Sequence, residues 1–267
     1  MTTHSVRTYV TGIYEKLNVK EGEMRKFQTG GPDGDLGSNE ILRSHEIMVG
    51  LVDGSASIHD PHGVNREELA RLAHTRKPLR EFDKTKLSAE GFVVCTDERN
   101  VKLPDGTQVE DGARFRDGFH FLPYSDADVF VPCGGRPNSV TLENVGKFVK
   151  LKDVSGEDML AGRYDHLDQN LLKFKIIVEG ANLFLSQDAR LALERCGVVL
   201  IKDASANKGG VTSSSLEVFA GLALSDDEHR RYMSATNEHD APEFYKRYVQ
   251  ETLDRVAENA RNEFEAI

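Results

Sequence analysis

Three glycines at intervals of three residues, with an aspartate further on, are the first residues of this sequence that could do chemistry. Gly31, Gly34 and Gly37 lie in the stretch GGPDGDLGSNEI, where a predicted strand runs into a predicted helix. Glycine is needed there because a Cβ would block the approach of a diphosphate, which the N–H groups at the helix start then bind. Asp53 ends the next predicted strand about 20 residues later, where a carboxylate can accept hydrogen bonds from an adenosine ribose.

The glycine stretch leaves other interpretations open. Pro32 stands where a strict GxGxxG motif has its first glycine, and Asp33 and Asp35 bring negative charge to a proposed phosphate site. A loop without a ligand would also fit, and methyltransferases that bind S-adenosylmethionine also pair a glycine loop with an acid after the second strand. The strand–helix–strand context and Asp53 favour a dinucleotide.

Amide and hydroxyl residues follow two later predicted strands. Asn182 ends the segment VEGAN, where an amide can bind a nicotinamide ribose or ring edge, or simply cap a loop. Asn207 and Ser214 lie in KDASANKGGVTSSSLE, whose paired glycines allow backbone to approach a ligand closely. These side chains can offer neutral hydrogen bonds to a cofactor and to a carboxylate, although three consecutive serines also suit the start of a helix.

Other candidate residues are better explained without a ligand. His59 and His62 in HDPH predict a polar turn, because the sequence offers no third metal ligand, and no metal site is predicted. Cys133 is expected to be a small buried residue. A basic group that we expect to be solvated consists of Arg114, Arg116 and His120.

The composition is that of a globular protein with an acidic surface. The 267 residues include 34 Lys and Arg against 44 Asp and Glu, a net charge of −10, which argues against a nucleic-acid partner. With 39% hydrophobic residues the chain can form a core, and no apolar run reaches the roughly 18 residues of a membrane span. The start MTTHSVRTYV lacks the apolar core of a secretory signal, and three separated cysteines offer no disulfide framework. We expect an intracellular protein of the cytoplasm or the mitochondrial matrix.

Short apolar strands alternate with helices along the chain. Helices are predicted at 6–17, 65–75, 186–195, 210–224 and 241–267. Strands are predicted at 24–28, 50–53, 92–95, 127–131, 175–178 and 198–201. The helix after the glycine stretch is expected to contain the apolar residues Ile41, Leu42, Ile47, Met48 and Val49.

This alternation predicts an α/β fold, a Rossmann-like, doubly wound and mostly parallel sheet with a C-terminal helical tail. We expect a leading helix in 1–23, a nucleotide-binding domain in 24–224 with an irregular insertion or hairpin at 77–126, and a C-terminal helical segment in 225–267. The tail helix has an apolar stripe, and we expect it to pack on a domain outside this chain or on a neighbouring subunit.

Several of these motifs, in the same order, resemble the glutamate, leucine, phenylalanine and valine dehydrogenase superfamily. DASANKGGVTSSSLEVFAGLAL is similar to its NAGGVT…S…E segment, and VEGAN, SASIHDPHGV and DVFVPCGGRP match it as well. GGPDGDLGSNEI resembles the NAD-specific glutamate dehydrogenases of very large subunit found in fungi and protists. The resemblance covers roughly residues 1–225. It implies a homo-oligomer that oxidises L-glutamate with NAD to 2-iminoglutarate, which is hydrolysed to 2-oxoglutarate and ammonium.

The resemblance also implies roles for individual residues. Ser214 matches the serine that holds the distal carboxylate of glutamate, and Thr3 matches the threonine that contacts the nicotinamide carboxamide. Asn182 and Asn207 match the two asparagines near the nicotinamide end. The residues expected to bind NAD are Thr3, Gly31, Gly34, Gly37, Asp53, Asn182 and Asn207.

The resemblance implies that part of the enzyme is missing from this chain. The family's catalytic lysine, its companion aspartate and the lysine for the substrate carboxylates precede the threonine matched by Thr3, so no catalytic residue is expected here. The chain is then a fragment whose parent subunit supplies an N-terminal catalytic domain. We expect NAD rather than NADP, because a carboxylate at Asp53 would repel a 2′-phosphate. A non-catalytic dinucleotide-binding module and, less favoured, an S-adenosylmethionine-dependent methyltransferase are the alternatives.

Overall fold

The computed structural model describes residues 1–234 and 240–267, so residues 235–239 of the expected C-terminal segment lie outside the described chain. The first half contains α1 (Thr2–Leu17), β1 (Arg25–Thr29), α2 (Asp35–Arg43), β2 (Ile47–Val52), β3 (Ala56–His59), α3 (Arg66–Thr75), β4 (Phe92–Cys95), β5 (Arg99–Lys102), β6 (Gln108–Asp111), α4 (Gly112–Gly118) and β7 (Val129–Pro132). The second half contains α5 (Gly156–Leu160), β8 (Ile176–Val178), α6 (Gln187–Arg195), β9 (Val199–Ile201), α7 (Asp203–Ala206), α8 (Lys208–Ala223), α9 (Asp226–Tyr232) and α10 (Glu243–Ala266).

The main sheet has the strand order β4-β3-β2-β1-β7-β8-β9. Strands β2, β1, β7, β8 and β9 run parallel to one another, while β3 pairs antiparallel with both β2 and β4. The chain therefore builds outward from β1 in one direction and, after β6, from β7 in the other. This confirms the doubly wound, mostly parallel α/β fold, and its topological switch point lies between β1 and β7, where such sheets bind ligands.

Alternate residues of the strands pack against helices on the two faces of the sheet. Phe27, Phe130 and Ile177 belong to a core on one face that includes the buried side of α6. Val129 and Val131, which alternate with Phe130, pack on the other face against α1. Because the sheet is covered on both faces, every residue of β7 is buried, and the strand is a continuous apolar run.

A cluster of charged side chains is buried beside β1. The Lys26 side chain is 0% exposed and forms an ion pair with Glu40 on α2. The Arg7 guanidinium on α1 lies 3.1 Å from Glu40 and 2.7 Å from Glu46. Burial alone would raise the pKa of Glu46, but Lys26 and Arg7 outweigh it and lower the pKa to about 2. The cluster thus joins α1, β1 and α2 through mutually compensated charges.

The predicted boundary after the glycine stretch is wrong. Helix α2 ends at Arg43, and Ile47, Met48 and Val49, which we expected in the helix, are in strand β2. A strand that is buried on both faces does not alternate between apolar and polar residues. Periodicity alone therefore could not show where helix α2 ends and strand β2 begins.

The C-terminal helix packs within its own chain, contrary to the expectation of an outside partner. Helix α10 lies against α1 and α8, and the Phe264 ring packs edge-on against Tyr9 at a centroid distance of 6.1 Å. The segment 77–126 contains β4, a hairpin of β5 and β6, and α4. In the described residues, every helix is too short or too polar to cross a membrane.

Candidate functional site

A cleft of about 600 Å³ opens at the carboxyl ends of β1, β2 and β7, next to the switch point of the sheet. The glycine stretch, the end of β2, the loop after β7 and the segment that follows β6 form its walls. Among the predicted residues, it is lined by Gly31, Gly34, Gly37 and Asp53. The structure therefore brings together the glycines and the acid that sequence analysis singled out.

Of the three glycines spaced three residues apart, Gly31 and Gly37 have no room for a side chain. A Cβ on Gly37 would lie 2.4 Å from the carbonyl oxygens of both Gly30 and Gly31, and a Cβ on Gly31 would lie 2.4 Å from the Cβ of Asp53. Gly34 has space, since its nearest neighbour would be 3.6 Å away, and it is the N-cap residue of α2. Among the described residues no side chain caps this helix, so its first-turn N–H groups remain available to an anion.

The loop after β7 forms a second wall of the cleft, and its main chain lies directly against the main chain of Gly30. A Cβ on Gly30 would lie 2.6 Å from the carbonyl carbon of Cys133 and from the amide nitrogen of Gly134. The Thr29 hydroxyl donates a hydrogen bond to the carbonyl oxygen of Gly134 at 2.5 Å. Cys133 was expected only to be a small buried residue, and no role was predicted for Gly134 and Gly135. A Gly-Gly pair directly after a strand was the signal that could have found this wall.

Asp53 is held by the protein's own donors. One carboxylate oxygen accepts hydrogen bonds from the Ser55 N–H (2.7 Å), the Ser55 hydroxyl (2.7 Å) and the Ala56 N–H (2.9 Å). The other accepts one from the Leu79 N–H at 2.7 Å. A carboxylate offers about four lone-pair positions. Asp53, which is 6% exposed, therefore contributes its negative charge to the cleft while its hydrogen-bonding capacity is used within the chain.

The basic group expected to be solvated is divided by the fold. Arg114 is exposed, but Arg116 is half-buried and His120 is only 5% exposed, and these two line the cleft. Burial lowers the pKa of His120 to about 4. The expectation of a solvated patch is wrong because the turn after α4 carries His120 into contact with Phe121, Phe148 and Phe184.

Asn182, Asn207 and Ser214 line a second cleft of about 610 Å³. Asn182 follows β8 and Asn207 follows β9, at the same carboxyl edge of the sheet as the first cleft. The Asn207 amide donates to the carbonyl oxygen of Gly180 at 2.8 Å and to the side-chain oxygen of Asn182 at 2.7 Å, so the two asparagines form one unit. The Ser214 side chain is on the exposed face of α8.

Neighbouring acids shape the loop that carries Asn182. The buried Glu179 accepts the N–H of Leu185 at 2.7 Å, and Asp203 accepts the N–H of Leu183 at 2.8 Å. Burial raises the pKa of Glu179. Thr3 is 3% exposed in the first turn of α1 and lines neither of these two clefts.

The histidines of HDPH fit the polar-turn interpretation. The His59 ring forms a hydrogen bond with the carbonyl oxygen of Val49 at 2.9 Å, and the exposed His62 lies 3.0 Å from Glu90. Across the described ranges, we find no group of three or more His, Cys, Asp or Glu side chains arranged to hold a metal ion.

Comparison with known proteins gives matches over the whole chain. The sequence model of the Glutamate/Leucine/Phenylalanine/Valine dehydrogenase family matches residues 1–267. The chain is 51% identical over 267 residues to "Glutamate dehydrogenase 2" of Dictyostelium discoideum, covering 100% of this chain and 24% of that protein. It is 49% identical over 267 residues to "NAD-specific glutamate dehydrogenase" of Neurospora crassa, again covering 100% of this chain and 24% of the relative. The chain thus spans about a quarter of the length of these curated relatives.

A solved structure of Plasmodium falciparum glutamate dehydrogenase shares the fold, with a TM-score of 0.56 at 15% identity. The alignment covers 97% of this chain and 43% of that one.

Proposed function

The chain belongs to the glutamate/leucine/phenylalanine/valine dehydrogenase family, and from that premise we propose that it is the NAD-binding domain of a glutamate dehydrogenase. The observation that carries the proposal is the cleft at the switch point, where Gly31 and Gly37 leave no space for a Cβ and main-chain groups form the walls. Such a surface lets a diphosphate approach the N-terminus of α2 closely. Membership of a dehydrogenase family argues against the methyltransferase alternative.

Each part of the coenzyme has a candidate binding region in this chain. Gly31, Gly34 and Gly37 would receive the diphosphate, and the charge of Asp53 would disfavour a 2′-phosphate and so select NAD over NADP. The names of the relatives from Neurospora crassa and Saccharomyces cerevisiae, "NAD-specific glutamate dehydrogenase", support this preference.

The second cleft would serve the reacting end. The paired amides of Asn182 and Asn207 would hold the nicotinamide half, and Ser214 would donate to the distal carboxylate of L-glutamate. Thr3 would contact the carboxamide, which requires its buried hydroxyl to become accessible when the coenzyme enters. Holding ring and substrate in one geometry is the contribution that proximity makes to hydride transfer.

NAD, when bound, accepts the hydride from the α-carbon of L-glutamate. The resulting 2-iminoglutarate is hydrolysed by water to 2-oxoglutarate and ammonium. Deprotonation of the amine and protonation during hydrolysis need a general base and acid. We assign neither role to this chain; both belong to the catalytic domain that the parent subunit would supply.

The outer face of α8 supports the proposal of an additional domain. Large apolar side chains are exposed there over three turns, and Ser214 lies on the same helix. These side chains are Val211, Val218, Phe219 and Leu222. An exposed apolar face of this kind marks a contact surface. We propose that the catalytic domain covers it, which would close the substrate site over Ser214, and that the complete subunits form a homo-oligomer in the cytoplasm or the mitochondrial matrix.

Calorimetric titration of this chain with NAD, NADP and S-adenosylmethionine tests the proposal. We expect weak binding of NAD, weaker binding of NADP and none of S-adenosylmethionine, with no glutamate-dependent formation of NADH at high protein concentration. Preference for S-adenosylmethionine would refute the proposed coenzyme, and clear turnover would refute the assignment of catalysis to another domain. An N-terminally extended protein that bound NAD without oxidising glutamate would favour the non-catalytic module.

A further inference from the structure

Two buried polar atoms at the wall of the first cleft have no partner in the described chain. They are Nε of Arg116 and Nε2 of His120, both from the segment that follows β6. Both residues line the same cleft as Gly34 and Asp53. Buried polar groups in proteins are almost always hydrogen-bonded, so atoms of this kind beside a ligand cleft indicate a partner that binds there.

The His120 ring is suited to an uncharged partner. Burial outweighs an interaction of the ring with the backbone of Ser139 and keeps the pKa of His120 at about 4, so the ring is neutral at pH 7 and offers Nε2 for a single neutral hydrogen bond. Contacts with Phe121, Phe148 and Phe184 hold the ring in place. A ribose hydroxyl or the edge of a base fits this atom better than an anion.

Arg116 is suited to an anion. Its guanidinium is permanently charged, and its ion-pair partner, 3.2 Å away, is the exposed carboxylate of the adjacent Asp117. Such a surface pair contributes little. Three carboxylates line this cleft, those of Asp33, Asp53 and Asp117, and they would repel a diphosphate. Besides the exposed Arg136, Arg116 provides a half-buried positive charge to offset them.

We propose that the segment after β6 supplies part of the coenzyme site, with Arg116 binding the diphosphate and His120 hydrogen-bonding to an uncharged group of the adenosine half. This inference rests on the proposed function, because it assigns new residues to the same dinucleotide. Asp53 already accepts four hydrogen bonds within the chain, so His120 would supply a contact to the nucleoside that the sequence had assigned to Asp53. Neither residue belongs to the glycine motif, so the motif alone does not find them.

Binding of NAD, ADP and adenosine to four forms of this chain tests the proposal. The forms are the wild type, Arg116→Gln, His120→Phe and the control Arg114→Gln, which changes an exposed arginine on the same short helix. Arg116→Gln should weaken NAD and ADP about tenfold, the value of a charged hydrogen bond, and leave adenosine unchanged. His120→Phe should weaken all three ligands about fivefold. The control should bind all three like the wild type.

The outcomes separate this inference from the proposed function. If the wild type binds neither NAD nor ADP, both proposals fail. If it binds them and Arg116→Gln or His120→Phe binds as tightly as the control, only the role of that residue is refuted. The melting temperature of each variant is also measured without ligand. Because His120→Phe removes a buried atom that has no partner, this variant should melt at the same temperature as the wild type. If it unfolds early, His120→Gln, which keeps a polar atom, must bind more tightly than His120→Leu for the proposal to stand.

Discussion

Replacing Asp53 with asparagine tests whether its carboxylate is part of the fold as well as of the cleft. The better amide orientation keeps the oxygen on the donors of Ser55 and Ala56 and turns the NH₂ toward the N–H of Leu79. The bond to Leu79 is lost, at a cost of about 2 kcal/mol, and two buried donors then face each other, at about 2 kcal/mol more. We therefore expect the free energy of unfolding to fall by about 4 kcal/mol.

Urea denaturation followed by circular dichroism measures this loss, with Asp33→Asn as the matched control. Asp33 lines the same cleft with an exposed side chain, and partial desolvation together with the charge of Asp53 raises its pKa. Its neutralisation should change the free energy of unfolding by less than about 1 kcal/mol. A loss as small as this for Asp53→Asn would refute the hydrogen-bond account. In the complete enzyme, Asp53→Asn should also raise the use of NADP relative to NAD, because it removes the charge that repels a 2′-phosphate.

Three further predictions follow from buried groups. Gly37→Ala should abolish NAD binding in calorimetry and strongly lower the melting temperature, while Gly34→Ala, which has space in the free chain, should lower the melting temperature far less; equal losses of melting temperature would contradict the steric argument. Lys26→Met leaves Glu40 without its closest cation and should cost about 4 kcal/mol in urea denaturation, most of which the double variant with Glu40→Leu should recover. The folded-state pKa of His120, about 4, lies below its ordinary 6.5, so stability is complete above pH 6.5 and falls by up to about 3 kcal/mol as the pH drops to 4. His120→Phe should lose this part of the pH dependence, and an unchanged pH profile would count against a neutral buried ring.

Local signals in the sequence were sufficient for elements that carry their own caps. The side chain of Asn65 accepts the N–H of Glu68 at 2.9 Å at the start of α3, and that of Ser186 accepts the N–H of Ala189 at 3.3 Å at the start of α6. Both helices begin where the sequence predicted, because the capping residue and its partner are three positions apart. The alternation of strands and helices likewise predicted the sheet and the edge at which the cleft opens.

The surroundings of the site depend on contacts between distant segments, which a single sequence does not reveal. The hydrogen bond from Leu79 to Asp53 spans 26 residues, and it decides how the carboxylate is used. The burial of His120 depends on Phe148 and Phe184, which come from later loops. Composition predicted a solvated patch there because Arg and His are usually exposed. The glycines were easier to find, since their role follows from the absence of a side chain.

The wall that we propose binds the diphosphate is built from main chain, so it would contact a part that all dinucleotides share, whereas side chains around it would contact the parts that differ. Gly31 and Gly37 accept no side chain at all, so substitution there can only damage the domain. Arg116 and His120 line the same opening with side chains from the segment after β6, outside the turn between β1 and α2. Substitutions at these side chains could therefore change the coenzyme preference, while the main-chain groups proposed to bind the phosphates would stay the same.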